Sequence, residues 1–551
     1  MNQFRTFLLI GWLMVAFLLW QEWGKEKAAA AQPAPSVPAT AQADVPGAQV
    51  PQAAVPGSAP AAQAVVSATT APSLRLSNDV LALELNGRDL TRAELLKYPQ
   101  TRDAGSPPVV LFDATPASRF VAEAFWRGSD GRELVLRPQG DARDIALADG
   151  AQTAQAIFVA DADNGLHLQR TYTLTRGSYA LRVRDELVNG SGSAWTGDIE
   201  RRLERVPPPV KTGFTNPESF SLSGAAWYSP EDHYEKRKYP KFADKPLDPD
   251  APAGKEVKGG WVALSQHYFL TAWVPQKDQA ALYSLGVAGN LHSIQAHGPR
   301  VTLAPGQRFG SDATLWIGPK LASQLEPIAP GLEKALDYGY FTPLSQPIHL
   351  LLTMLHKLTH NWGWAIVLLV VLIKLALYPL SAAQYKSMAK MRKFQPRIEQ
   401  LKERYGEDKQ KFQMAMMDLY KKEKINPAGG CLPLLVQMPV FLALYYVLLE
   451  AVELRQAPWI VGWVSDLTAR DPYFILPVVN AAVMFLTQRL TPSPGMDPMQ
   501  KKMMQMMPLV MAVMFAFFPA GLVLYWVTNG TLSLLQQWWN TKRFAEEPAK
   551  A

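Results

Sequence analysis

A lysine stands inside an otherwise apolar stretch: between Trp362 and Leu380, in the run that ends VVLIKLALYPL, Lys374 alone carries a charge. Such a group near a bilayer centre costs on the order of 2.5–3.5 kcal/mol on insertion scales, so its presence asks for a polar surrounding or a partner. Its chemistry would be electrostatic. An ammonium is a compact positive charge with three donors, suited to attracting carboxylates. The plainer reading is snorkelling to the headgroups, since Leu380 lies only about 9 Å further along a helix at 1.5 Å per residue. Gln437, Asn480, Gln488, Thr528 and Asn529 lie in other apolar runs, and Tyr378 is one turn from Lys374. Singly such residues hydrogen-bond helix to helix; together with Lys374 they predict a wet cavity. A second pairing, His356 and His360, puts two imidazoles on one helical face, a zinc-like spacing. HKLTH lacks the glutamate a zinc hydrolase needs and no acid or cysteine is near in sequence, so these are read as polar interfacial residues. The chain shows no phosphate-cradling glycine loop and no nucleophile with its base; neither an enzyme nor a cofactor is expected.

The elements that must position these residues follow from composition. The 551 residues are 48% hydrophobic with net charge +7, but the averages conceal segments of different character. The apolar run Phe7 to Trp20, with tryptophans at 12, 20 and 23, predicts an uncleaved membrane anchor over 1–22. Residues 28–72 are almost entirely Ala, Pro, Gln, Val, Gly, Ser and Thr and lack the large apolar side chains a core requires, so 23–72 is expected to form an Ala/Pro-rich disordered tether. From 73 to 328 the pattern has period two. In LHLQRTYTLTRGSYALRVRDELVN, Leu166, Leu168, Tyr172 and Leu174 alternate with polar residues, Arg176-Gly177-Ser178 marks a turn, and Leu181 and Val183 resume. Similar short runs recur, which predicts an antiparallel β-sandwich; the charged segment PEDHYEKRKYPKF around His233 reads as a solvated loop. Residues 329–360 mix polar and apolar residues at helical spacing and suit amphipathic helices at the membrane interface.

Five apolar runs near 361–382, 431–450, 472–488, 503–518 and 522–540 make six membrane helices with the anchor, although two runs are shorter than the roughly 20 residues a bilayer core demands. Between Gln384 and Asn426 there are twelve Lys or Arg against six Asp or Glu. Flanked by apolar runs, this excess argues for a cytoplasmic loop rather than nucleic-acid binding; span counting then places both termini in the cytoplasm and the β domain outside. In that loop Met391, Phe394, Ile398, Leu401 and Tyr405 recur at three and four spacings, Gly406 interrupts, and Phe412, Met416 and Leu419 resume, predicting a helical hairpin over 384–426. Cys431 is the single cysteine, which excludes an internal disulfide. Eight methionines between Met496 and Met514 offer either helix packing or an adaptable surface.

The segments NWGW, YPLSAAQYKSMAKMRKFQPRIEQLKERYGEDKQK, NPAGGCLPLLVQMPVFLALYYVL, VELRQAP and FPAGLVLYW, in this order, closely resemble the YidC family of membrane protein insertases of Gram-negative bacteria. The resemblance implies a multi-pass protein of the bacterial inner membrane that inserts and folds other membrane proteins, alone or with the Sec translocon. It also implies five core membrane helices around a hydrophilic groove open to cytoplasm and lipid, and a large periplasmic β-sandwich. Nascent inner-membrane proteins and lipids would be its partners, with the ribosome and the signal recognition particle receptor as further candidates. Tyr525 and Trp526 match aromatics of the family's client-contacting helix, and Lys374 stands where the family commonly has arginine, which keeps the charge and gives up the five-donor fork. The long basic tail of some relatives is absent after Trp539. Two other classes remain: a secondary transporter using Lys374 as an ion site, against which stands the lack of internal repeats, and a membrane-anchored carbohydrate-binding protein.

Overall fold

The computed structural model describes residues 73–162, 165–209, 219, 221–244, 247, 253–405, 408–423, 432–491 and 498–545. The anchor expected at 1–22, the tether at 23–72, the hairpin junction at Gly406 and Cys431 lie outside the described residues.

Residues 74–319 build two sheets. In the first, strands follow the order Lys255–Lys258, Ala280–Ala288, Leu291–His297, Trp195–Arg205, Phe120–Gly128, Asp89–Pro99, Leu81–Leu85, Leu74–Ser77 and Asp144–Ala146. Val301–Leu303 and Pro108–Phe112 pair alongside. In the second the order is His233–Lys238, Gly224–Ser229, Trp261–Ser265, Phe269–Pro275, Arg308–Pro319, Ala180–Asn189, Leu166–Thr175, Thr153–Asp161 and Arg137–Pro138. Pairing is antiparallel except between Leu74–Ser77 and Asp144–Ala146. Trp126, Trp261, Trp273, Trp316, Phe158 and Tyr172 are fully buried in one shared core, each such ring contributing roughly 1.5–3 kcal/mol by leaving water.

The 166–189 hairpin has Leu174 opposite Leu181 and Arg170 opposite Asp185. Both charged residues point into the sandwich, Arg170 at 0% exposure and Asp185 at 1%. Their fork is bidentate, Nε to Oδ1 at 2.6 Å and Nη2 to Oδ2 at 2.7 Å. Arg170 Nη1 also donates to the carbonyls of Gly87 at 2.8 Å and Ala124 at 2.5 Å, and Trp126 Nε1 donates to Asp185 Oδ2 at 2.8 Å. Gly87, Ala124 and Trp126 belong to or adjoin the first sheet, so this buried pair bolts sheet to sheet. The charged segment around His233, expected to be a loop, is instead the edge strand His233–Lys238, paired to Gly224–Ser229 alone. A strand with one partner keeps most of its side chains in solvent, and its charges blunt the open edge.

Past the sandwich come 3₁₀ turns at Leu332–Ala335 and Gly339–Phe341 and then nine helices among the described residues: α1 Thr342–Thr359, α2 Trp362–Ala376, α3 Tyr378–Lys393, α4 Gln395–Tyr405, α5 Lys409–Lys422, α6 Leu432–Glu450, α7 Ile475–Leu490, α8 Pro498–Phe515 and α9 Ala520–Ala545. The apolar run expected to be one span near 361–382 breaks at Leu377, where α2 and α3 meet at a 62° bend. Pro379 supplies the cause: it has no N–H for the carbonyl of Leu375, and its ring disfavours helical geometry just before it. No single described helix is long and apolar enough to cross a membrane; α2 with Tyr378–Lys386 passes the same test of length and composition as a bent pair. Ile398 on α4 and Tyr420 on α5 are buried against Phe394, Phe412, Met416 and Leu419, and Arg397 pairs with Glu423 at 2.8 Å. These two helices therefore close on each other as a hairpin arm, α5 being capped by Asp408, which accepts from the amides of Gln410 and Lys411.

The NWGW motif has a structural role. Asn361 caps α2 by accepting from the Trp364 amide at 3.1 Å and donates to the Trp459 carbonyl at 3.0 Å. A Cβ on Gly363 would fall 2.2 Å from the Trp459 ring, so only glycine lets that ring lie on the helix. Residues 451–472 thus cover one end of α2 and also take the start of α9, through Ala520 N to Ala469 O at 2.7 Å and Gly521 N to Leu467 O at 2.8 Å. The same segment receives the β domain. Arg455 and Gln456 donate to the Pro99 carbonyl at 2.8 and 3.0 Å, and His267 Nε2 lies 2.9 Å from the Leu449 carbonyl. At the centre Glu450 pairs with Lys320 at 3.4 Å, with side-chain exposures of 1% and 0%, and accepts from Ser221.

Candidate functional site

Lys374 sits two residues before the end of α2 and is 7% exposed. Its ammonium donates to Ser533 Oγ on α9 at 2.7 Å. Ser533 in turn donates to the Asn529 carbonyl one turn back, at 2.7 Å. Asn529 Oδ1 accepts from Gln437 Nε2 of α6 at 2.9 Å. A continuous polar path therefore crosses α2, α9 and α6. Lys374 forms no ion pair among the described residues, and α2, α3 and α9 contain no Asp or Glu at all. Burying an ammonium with one neutral acceptor is costly unless an anion or water reaches it.

The remaining expected residues divide. Tyr378 donates to Asn540 Oδ1 at 3.5 Å, a long contact that ties α3 to α9. Tyr525 and Trp526 pack on Phe441 of α6, with ring centroids at 5.8 and 4.7 Å, and form an aromatic wall about one turn from Asn529. Thr528 donates back to the Leu524 carbonyl at 2.8 Å and joins no helix to another. Asn480 is 2% exposed and meets Met484 Sδ at 3.6 Å within its own helix. Gln488 donates to the Met504 carbonyl at 2.8 Å, fastening α7 to α8. The structure thus brings Lys374, Gln437 and Asn529 into one network and leaves Asn480 and Gln488 outside it.

Three members were not singled out from sequence: Ser533, Tyr385 and Phe441. Tyr385 OH donates to the Ser533 carbonyl at 3.1 Å, a second tie from α3 to α9. A signal for both existed in spacing: Ser533 is four residues after Asn529, and Tyr385 seven after Tyr378, each repeating one helical face. His356 stacks flat on Trp362 at 3.9 Å, and no group of three or more metal-binding side chains occurs among the described residues.

Two family models match, one described as the 60Kd inner membrane protein over residues 354–547 and one as the YidC periplasmic domain over 73–351. A Membrane protein insertase YidC of Stenotrophomonas maltophilia strain R551-3 is 53% identical, covering 100% of this chain and 98% of that one. One of Xanthomonas campestris pv. campestris strain ATCC 33913 is 52% identical over 100% and 99%. A solved structure of an active YidC insertase, with its first transmembrane domain resolved, covers 84% of this chain and 93% of that chain at 19% identity and a TM-score of 0.37. With two family models matching in succession and identity sustained over whole chains, this chain belongs to the YidC membrane protein insertase family.

Proposed function

We propose that the chain inserts and folds proteins of the bacterial inner membrane, giving the polar segment of each client a route past hydrocarbon. The observation that carries this reading is the burial of Lys374 against Ser533, its ammonium meeting a neutral acceptor and no carboxylate among the described residues. In the proposed arrangement the N-terminal anchor and the apolar helices make six spans. The face of α2, α6 and α9 around Lys374, Gln437 and Asn529 is a hydrophilic groove open to cytoplasm and lipid. Tyr378, Thr528, Tyr525 and Trp526 border it, and Asn480 and Gln488 brace its walls.

The short apolar helices would thin the local bilayer, at fractions of a kcal/mol per Å of mismatch. The α4–α5 arm and both termini are then cytoplasmic and the sandwich periplasmic, as the charge distribution beside the spans favours. No nucleotide or covalent step is used; the client's own apolar transfer drives insertion. Nascent membrane proteins and lipids are the partners, with the Sec translocon, the ribosome and the signal recognition particle receptor as further candidates. The transporter and carbohydrate-receptor readings are not favoured, since the full-length relatives are named insertases.

The test is reconstitution. Vesicles holding the full chain should convert a single-span client to a protease-protected form, and photocrosslinkers replacing Tyr525 or Trp526 should capture it. Protection no greater than in empty vesicles would refute the proposal.

A further inference from the structure

The Lys374 ammonium is not loose in its surroundings. Ser533 spends its only proton on the Asn529 carbonyl at 2.7 Å, so its oxygen is left with lone pairs alone, and the Lys374 ammonium donates to it at 2.7 Å. The serine backbone is held as well, its carbonyl accepting from Tyr385 OH at 3.1 Å. A hydroxyl fixed as an acceptor in this way fixes the direction of the ammonium. A lysine has three N–H donors. One is bound to Ser533, and the other two have neither a carboxylate partner among the described residues nor one available in α2, α3 or α9.

We infer that Ser533 is a positioning residue for client recognition: with Tyr385 behind it, it steers Lys374 so that the two remaining donors meet both oxygens of a carboxylate on the translocated segment of the client. The inference rests on the groove reading above. It also accounts for lysine at this position. A guanidinium carries its own fork, whereas an ammonium pivots freely and gains a fixed geometry only from a third partner.

Two clients differing only in a translocated tail, one acidic and one uncharged, report the effect as a ratio of initial insertion rates in the same vesicles, which cancels differences in the amount of folded insertase. Ser533→Ala should lower the ratio of acidic-tail to uncharged-tail rate about tenfold, the order expected for losing one hydrogen bond to a charged group. Ser533→Thr, which keeps the hydroxyl and its back-bond, should restore the ratio. Ser533→Asp places a resident carboxylate against the ammonium and should depress the acidic client more than Ser533→Ala does.

Lys374→Ala is the control. If it lowers the ratio while Ser533→Ala leaves it unchanged, the positioning role is overturned and the groove reading stands. If neither lowers it, both are overturned. Vesicles of phosphatidylcholine alone should give the same ratios; a ratio that depends on added anionic lipid would assign the anion to a headgroup and overturn the inference.

Discussion

The ion pair between Lys320 and Glu450 joins the last residue before the sandwich hands over to the helices with the last residue of α6, 130 positions later. Its charges lie 3.4 Å apart at 0% and 1% exposure. At an effective dielectric of 20 their attraction is about 5 kcal/mol, much of it offset by the desolvation of two buried ions. Lys320→Met removes the cation and leaves the carboxylate with Ser221 as its partner among the described residues; breaking one side of such a pair costs about 3–5 kcal/mol. Glu450→Gln should cost a similar amount by stranding the ammonium. Lys320→Met with Glu450→Gln removes both charges and keeps an acceptor for Ser221, so most of the loss should return.

Because a two-domain membrane protein does not unfold in one step, the readout is local. The amides of Ala451, Leu454, Arg455 and Ala457, all bonded to nearby carbonyls, should exchange with deuterium about a hundredfold faster in either single variant of the full chain in detergent, for a loss of about 3 kcal/mol. In the double variant they should return to within about tenfold of wild type. Single variants that exchange within about threefold of wild type, or a double variant as fast as the singles, would refute the view that this pair docks the sandwich onto α6.

Buried arginines of the sandwich should respond in opposite directions. Arg170→Met strands Asp185 and should destabilise by about 3–5 kcal/mol, whereas Arg201 has Nε unpaired, one bond to Ser311 at 2.9 Å, and a pKa pushed down to about 10 by burial. Arg201→Met should therefore leave deuterium exchange of the sandwich's core amides unchanged or slower in the full chain in detergent, and exchange more than about thirtyfold faster, a loss of about 2 kcal/mol, would contradict this. Ile398→Pro should disrupt the α4–α5 arm at a cost of about 3 kcal/mol or more to its helix, visible as faster proteolysis between α4 and α5 and slower client insertion; unchanged insertion would make the arm dispensable. With Cys431→Ser as background, cysteine at Ser178 should react with an impermeant maleimide from the periplasmic side and cysteine at Arg404 only from the cytoplasmic side, and labelling of both from one side would overturn the proposed topology.

How much of this was legible depends on how far apart the cooperating residues lie. Lys374 stood out because a single charge violates an apolar run, and the arm because its apolar residues keep helical spacing through Phe394, Ile398, Phe412 and Met416, all of which pack together. Its second buried residue beside Ile398, Tyr420, fell outside the register followed. Arg170 and Asp185 were legible and missed. Each occupies an inward position of its strand, in line with Leu168 and Tyr172 or with Val183 and Leu187, and the turn that pairs Leu174 with Leu181 also pairs them. Two opposite charges at opposed inward positions are a sequence-level sign of a buried ion pair.

The Lys320–Glu450 pair had no such sign, because no period relates a strand end to a helix end. The polar path at Lys374 lies between these cases. Asn529 was expected to share a wet cavity with the lysine, but the residue that touches the ammonium is Ser533, one turn on, because α2 and α9 meet at a level that only their packing decides. A polar set read from separate helices gives the right chemistry before it gives the right contact. Ser533 was reachable only by asking which other polar group shares Asn529's face, since residues four apart on a helix stand over one another.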